Sequence, residues 1–153
     1  SKSLLRHKLA VSSLAELSSG GWQSVIPDSE ADVKKVKRIV LCSGKVYYDL
    51  LEQVRAEKQD NTALIRIEQL YPFPTSELTA QLTRYPKVKD IVWCQEEPKN
   101  QGAWYCTQHH LLSCVAKSQT VHYVGRPASA APAVGSPLVH AQEQQMLVKE
   151  ALN

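Results

Sequence analysis

Short, almost unbroken apolar runs, each followed by a segment of helical period, constrain this chain more than any other feature. The runs are Arg38-Ile39-Val40-Leu41-Cys42, Ala63-Leu64-Ile65-Arg66-Ile67, Asp90-Ile91-Val92-Trp93-Cys94 and Thr120-Val121-His122-Tyr123-Val124. They lack the polar alternation of a half-exposed strand, so they suit strands covered on both faces. Between them, Val46, Leu50, Leu51 and Val54 recur at helical spacing. The pattern predicts helices over 46–58, 75–85, 103–115 and 139–152. Met146, Leu147 and Val148 are expected on or near the buried side of the last one. Thr75 is placed to cap the second, with Glu77 in its first turn. The prolines of Tyr71-Pro72-Phe73-Pro74 exclude helix before it. Strands alternating with helices imply βαβ units: a three-layer α/β fold with a mostly parallel sheet of four or five strands.

Residues 1–36 show no clear period. They read as an interdomain arm with one short helix over 12–18, leaving 37–153 as the α/β domain. Ser18-Ser19-Gly20-Gly21 marks a turn within the arm. The opening residues Ser1-Lys2-Ser3-Leu4-Leu5, with no initiator Met, read as cut from a longer chain.

A chain of 153 residues is long enough for one domain with a real core. Its formal charge of +3 is too mild to indicate nucleic acid, and no basic run interleaves with aromatics. Arg6, His7 and Lys8 read as a solvated segment. No apolar stretch reaches the roughly 18 residues of a membrane span. Cys42, Cys94, Cys106 and Cys114 form no CxxC pair, and two of them sit in apolar runs. A reduced, cytoplasmic protein is expected.

In parallel sheets ligands sit beyond the carboxyl ends of the strands. Three loops fall on that edge: Ser43 to Lys45, Gln69 to Pro74 and Gln95 to Gly102. Ser43-Gly44-Lys45 could hold an anion at a helix start, but the upstream glycines of a phosphate loop are missing. Cys106, His110 and Cys114 share a helical stripe, yet i to i+8 spans about 12 Å of rise, too far for one zinc ion. Glu96 and Glu97 are adjacent at a strand end and point to opposite faces, so they make a poor acid/base pair. A single hydrogen-bonding role for one of them is expected. No nucleophile elbow and no dinucleotide fingerprint is present.

Four strings carry a resemblance. They are VKRIVLCSGKVYYDLL (36–51), IRIEQLYPFP (65–74), VWCQEEPKNQGAWY (92–105) and GRPASAAPAVG (125–135). Together they are similar to the C-terminal region of the thiamine-diphosphate-dependent component of 2-oxoglutarate dehydrogenases, most closely of the proteobacterial branch. The resemblance implies a transketolase-like C-terminal domain. It implies a parent enzyme that uses thiamine diphosphate and Mg²⁺ to decarboxylate 2-oxoglutarate, then succinylates a lipoyl group on the dihydrolipoyl succinyltransferase component. A 2-oxoadipate-specific parent is the main competitor. The diphosphate-and-metal motif GDG…N is absent here, so no catalytic, cofactor-binding or metal-binding residue is assigned, and the isolated domain is expected to be inactive.

The implied partners are the preceding domains and a homodimer mate. The small-residue segment 126–137 is expected to pack across such an interface. Some relatives of the actinobacterial kind bind acetyl-CoA as an activator through positions matching Ser24 and Gln69. On that basis Ser24, Ser43, Lys45, Gln69 and Glu96 form the candidate regulatory-ligand set. The family's basic residues after the PxP element are replaced here by Thr75, Ser76 and Glu77, which disfavours a phosphate-bearing ligand.

Overall fold

A computed structural model of the protein describes residues 2–153. Five strands form one sheet: β1 (Val25–Ile26), β2 (Arg38–Cys42), β3 (Thr62–Ile67), β4 (Asp90–Gln95) and β5 (Thr120–Gly125), in the order β1-β3-β2-β4-β5. All pairings are parallel except β1 on β3. The helices are α1 (Leu14–Ser19), α2 (Val46–Glu57), α3 (Thr75–Thr83), α4 (Trp104–Cys114) and α5 (Pro137–Leu152), with a 3-10 turn at Lys2–Arg6.

The apolar runs are continuous because both faces are covered. Ile39, Leu41, Ile65, Ile67, Ile91 and Trp93 pack under α3 and α4, meeting Leu78, Leu82 and Leu111. Val40, Cys42, Leu64, Val92, Cys94 and Val124 face α2 and α5, meeting Val46, Leu50, Leu147, Val148, Ala151 and Leu152. The result is the three-layer arrangement expected. Cys42 and Cys94 are register partners on adjacent strands, both fully buried and unbridged.

Three local expectations are corrected. Helix α3 begins after Pro74, which occupies the cap position with no side-chain hydrogen bond, so Thr75 is inside the helix rather than its cap. Met146 is 70% exposed, because the buried stripe of α5 runs through Leu147, Val148, Ala151 and Leu152. Residues 24–36, read as arm, contribute the edge strand β1 and the core side chains Val25 and Val36. Asp28 fastens this segment: its carboxylate accepts from the Leu64 amide (2.8 Å), and from Glu30 (2.8 Å) and Ala31 (2.9 Å). The short helix does form, with a capping box in which Ser13 and Glu16 exchange hydrogen bonds.

Candidate functional site at the carboxyl edge of the sheet

Chain order and strand order part company between β2 and β4. From β2 the chain moves outward to β3, then returns across β2 to β4. The carboxyl ends of β2 and β4 therefore flank a crevice, the usual ligand position in an open α/β sheet. A cleft of about 280 Å³ lies there, lined by Ser43 to Lys45 after β2, Leu70 after β3, and Glu96, Glu97 and Gly102 after β4. All three loops expected on this edge meet in it.

Lys45 is the cation of the cleft, and it is already engaged. Its Nζ lies 3.1 Å from Glu96 Oε2 and 3.5 Å from Asp49 Oδ2. Burial works against the ammonium charge. The hydrogen bond and charge of Glu96, with Asp49 behind it, outweigh that and hold the Lys45 pKa above its ordinary value. Gln144 of α5 closes the group, its Nε2 donating to Asp49 Oδ2 (2.7 Å) and Glu96 Oε2 (3.4 Å). Helix α2, the loop after β4 and helix α5 are thus joined by one ionic knot. Glu96 points inward to it, while Glu97 is exposed, as adjacent residues at a strand end should. An incoming phosphate would meet two carboxylates around a single lysine, so the knot opposes anion binding.

Ser24 and Gln69 sit one loop away and do not join this group. The Ser24 carbonyl accepts from the amides of Glu68 (2.9 Å) and Gln69 (3.3 Å), tying β1 to the loop after β3. The Gln69 carboxamide folds its own loop: Nε2 donates to Pro72 O (2.8 Å) and Oε1 accepts from Trp22 Nε1 (3.3 Å). Tyr71-Pro72 within that loop is cis. Of the five candidate residues, the structure brings Ser43, Lys45 and Glu96 together and leaves Ser24 and Gln69 as a separate pair.

Gln95 organises the edge and is absent from the residues singled out above. It is 3% exposed. Its Oε1 accepts from Trp93 Nε1 (3.0 Å) and the Trp104 amide (3.0 Å). Its Nε2 donates towards the carbonyls of Glu97 (3.2 Å), Pro98 (3.2 Å) and Gln101 (2.9 Å). One carboxamide therefore ties the loop 96–102 around itself. Gly102 closes the turn at φ +68°, where a Cβ would lie 2.9 Å from Gln95 Nε2. The period of β4 held the signal: Gln95 shares the Trp93 face, and a polar side chain on a buried face must find partners.

This loop is docked in turn on the segment after β5. Asn100 exchanges two hydrogen bonds with the Ser129 backbone, both 2.9 Å, and the Lys99 amide donates to Arg126 O (3.0 Å). Tyr123 Oη donates to the same carbonyl (3.0 Å). Burial pushes the Tyr123 phenol up to about 12. The Arg126 side chain is 7% exposed. It reaches α5, with Nε 3.3 Å from Glu143 Oε2 and Nη2 3.2 Å from Gln144 Oε1. The strings 92–105 and 125–135 are thus two halves of one packed unit.

The stripe on α4 anchors rather than converges. His110 stacks on Phe73 at 5.0 Å and 8°. The Cys114 thiol faces the Thr75 carbonyl at 3.7 Å, and Cys106 bonds within its own helix.

Comparison with known proteins agrees with this unit. The family described as 2-oxoglutarate dehydrogenase C-terminal matches residues 11–152. The chain is 58% identical to the 2-oxoglutarate dehydrogenase E1 component of Haemophilus influenzae over 99% of its length and 16% of the relative's. It is 55% identical to that of Coxiella burnetii, again over 99% of this chain and 16% of the relative. For Azotobacter vinelandii the identity is 53%, over 98% and 16%. The chain therefore spans about one sixth of the curated relatives it matches. With the family matched over nearly every residue, and its most distinctive strings forming one stitched carboxyl edge, the chain belongs to the 2-oxoglutarate dehydrogenase C-terminal family.

Proposed function

We propose that this chain is the C-terminal structural and assembly domain of a 2-oxoglutarate dehydrogenase E1 component. The parent would be a cytoplasmic homodimer that decarboxylates 2-oxoglutarate and passes a succinyl group to the lipoyl arm of the dihydrolipoyl succinyltransferase component. Thiamine diphosphate and Mg²⁺ would supply the carbanion chemistry of that parent. The residues here do not suit them: Lys45 sits between Asp49 and Glu96 as their counter-ion, which leaves no free cation there for a diphosphate and no open carboxylate pair for Mg²⁺, and no step is assigned to this domain.

The observation that carries the reading is the arm. Helix α1 has a complete capping box but no buried residue. Leu14 is 85%, Leu17 72% and Trp22 75% exposed. A short helix gains most of its stability from tertiary packing of an apolar face, and this face has nothing under it among the described residues. The preceding domains or the dimer mate are the surfaces available to cover it. The exposed segment 127–139, rich in Ala and Pro, supports a second contact of the same kind.

In the full-length enzyme, Leu14→Glu with Leu17→Glu should weaken domain packing by roughly 3 kcal/mol, the transfer value of two leucines. Faster proteolysis between this domain and the rest, with reduced overall activity, is the expected readout. Unchanged proteolysis and activity would refute the assembly role of the arm.

The alternative, a regulatory module for acetyl-CoA or a nucleotide at Ser24, Ser43, Lys45, Gln69 and Glu96, meets the ionic knot described above. Calorimetry of the full-length enzyme with acetyl-CoA and AMP should show no heat that Lys45→Met removes. A signal lost in that variant would restore the alternative.

A further inference from the structure

The opposite, amino-terminal edge of the sheet carries a larger cleft of about 790 Å³, within the size range of small-molecule sites. It lies between residues 33–37, which lead into β2, and residues 84–90, which lead into β4. Arg38 and Asp90 are register partners and hold the two segments side by side. Buried Val36, Tyr85 and Val88 form its floor.

The rim is cationic. Lys34, Lys37, Arg84, Lys87 and Lys89 line it and are all exposed. None forms an ion pair with a carboxylate among the described residues. Lys35 differs, being paired with Asp60 at 2.9 Å. Asp90, the carboxylate on the wall, is held by Arg38 and by His122 at 3.5 Å. A chain whose whole formal charge is +3 concentrates its unpaired cations here, where they repel one another unless an anion joins them.

A second observation is independent of the rim. Tyr85 is 1% exposed, lines the cleft, and its hydroxyl has no hydrogen-bond partner. A buried hydroxyl left unpaired is costly, and phenylalanine would fill the same space without it. The hydroxyl makes sense as a donor to an acceptor that arrives from outside.

We propose that this cleft binds a phosphorylated organic anion with an apolar body, its phosphate oxygens on the lysine rim and near Tyr85, its body against Val33, Pro86 and Val88. Phosphate fits better than carboxylate. A phosphate carries up to about two charges and three acceptor oxygens, so it can engage several lysines approaching as point charges at once, where a carboxylate offers one charge and two oxygens. The site does not depend on the function proposed above. It lies across the sheet from the ionic knot, so the two can be told apart.

The test uses the full-length protein saturated with its cofactor, in about 50 mM salt to limit screening, with calorimetry of ADP, inorganic pyrophosphate and a glutamate-rich peptide. ADP should bind, and pyrophosphate more weakly for want of an apolar body. Lys87→Glu with Lys89→Glu should lower ADP affinity by about tenfold or more, since two attractions become repulsions. These residues are exposed, so the melting temperature should hold. Tyr85→Phe should lower affinity about fivefold, the weight of one hydrogen bond, without lowering the melting temperature. The proposal is overturned if ADP binds the charge-reversed protein as tightly as the wild type, if no heat appears, or if the peptide outcompetes ADP.

Discussion

Gln95→Leu is expected to cost about 3–5 kcal/mol, because several buried polar groups lose their partner together at roughly 1–3 kcal/mol each. Trp93 Nε1, the Trp104 amide and the carbonyls of Glu97 and Gln101 would be left facing an apolar side chain. The Pro98 carbonyl keeps the Gln101 amide at 2.8 Å, which tempers the loss. Against the usual 5–15 kcal/mol for a domain, this is a large share. Urea denaturation of the two proteins gives the difference. Hydrogen exchange should show lost protection at Gln101 and Trp104 first. Gly102→Ala reaches the same carboxamide by a different route, through positive φ and a Cβ 3.2 Å from Gln95 Cδ. A Gln95→Leu protein as stable as the wild type would remove this residue from the account of the edge.

Arg126→Met should cost about 2–3 kcal/mol, less than the full penalty for breaking a buried charge pair because the Glu143 side chain is 33% exposed. Arg126 Nε and Glu143 Oε2 are 3.3 Å apart but are not aligned for a hydrogen bond, and both atoms are buried. Their attraction is therefore mostly Coulombic and depends on exclusion of water. Removing the guanidinium strands the Glu143 carboxylate and frees Gln144, which also serves the ionic knot. Arg126→Met combined with Glu143→Leu should recover most of the loss, because no unpaired charge remains. Thermal melts of the single and double variants separate the terms. A single variant that melts with the wild type would show that the pair contributes nothing.

The strands were legible because a sheet covered on both faces needs unbroken apolar runs, and those runs have no other simple reading. The convergence of the loops at Ser43, Leu70 and Glu96 was legible from the βαβ alternation alone. What Lys45 does there was not. Its partners Asp49, Glu96 and Gln144 come from three elements, and only the strand order β3-β2-β4 brings them together. β1 escaped notice because two residues, Val25 and Ile26, are too few to show a period. Met146 misled because an apolar side chain beside a buried stripe looks the same in sequence as one within it. Ser24 and Gln69, suggested by resemblance, turn out to be joined through backbone groups, which side-chain identity does not report.

The paired positions of Cys42 and Cys94 give the sheet a built-in clock. Burial pushes the Cys94 thiol up to about 12 and raises Cys42 well above its usual value. Neither forms the thiolate that alkylating reagents need while the sheet is closed. Cys106 on the surface of α4 remains open to them. The moment of modification at 42 and 94 therefore marks the lifting of α2 or α5 from the sheet face that carries them. The same shifts carry a sign for alkaline solution. Thiols held neutral in the fold favour it at neutral pH, and that support drains away once the unfolded thiols ionise near 9.0, until Cys94 follows near 12 and Cys42 in its turn. The covered face of β2 and β4 is thus the part of the molecule that reports its own opening, and with the buried phenol of Tyr123 it adds to the fold's sensitivity to base.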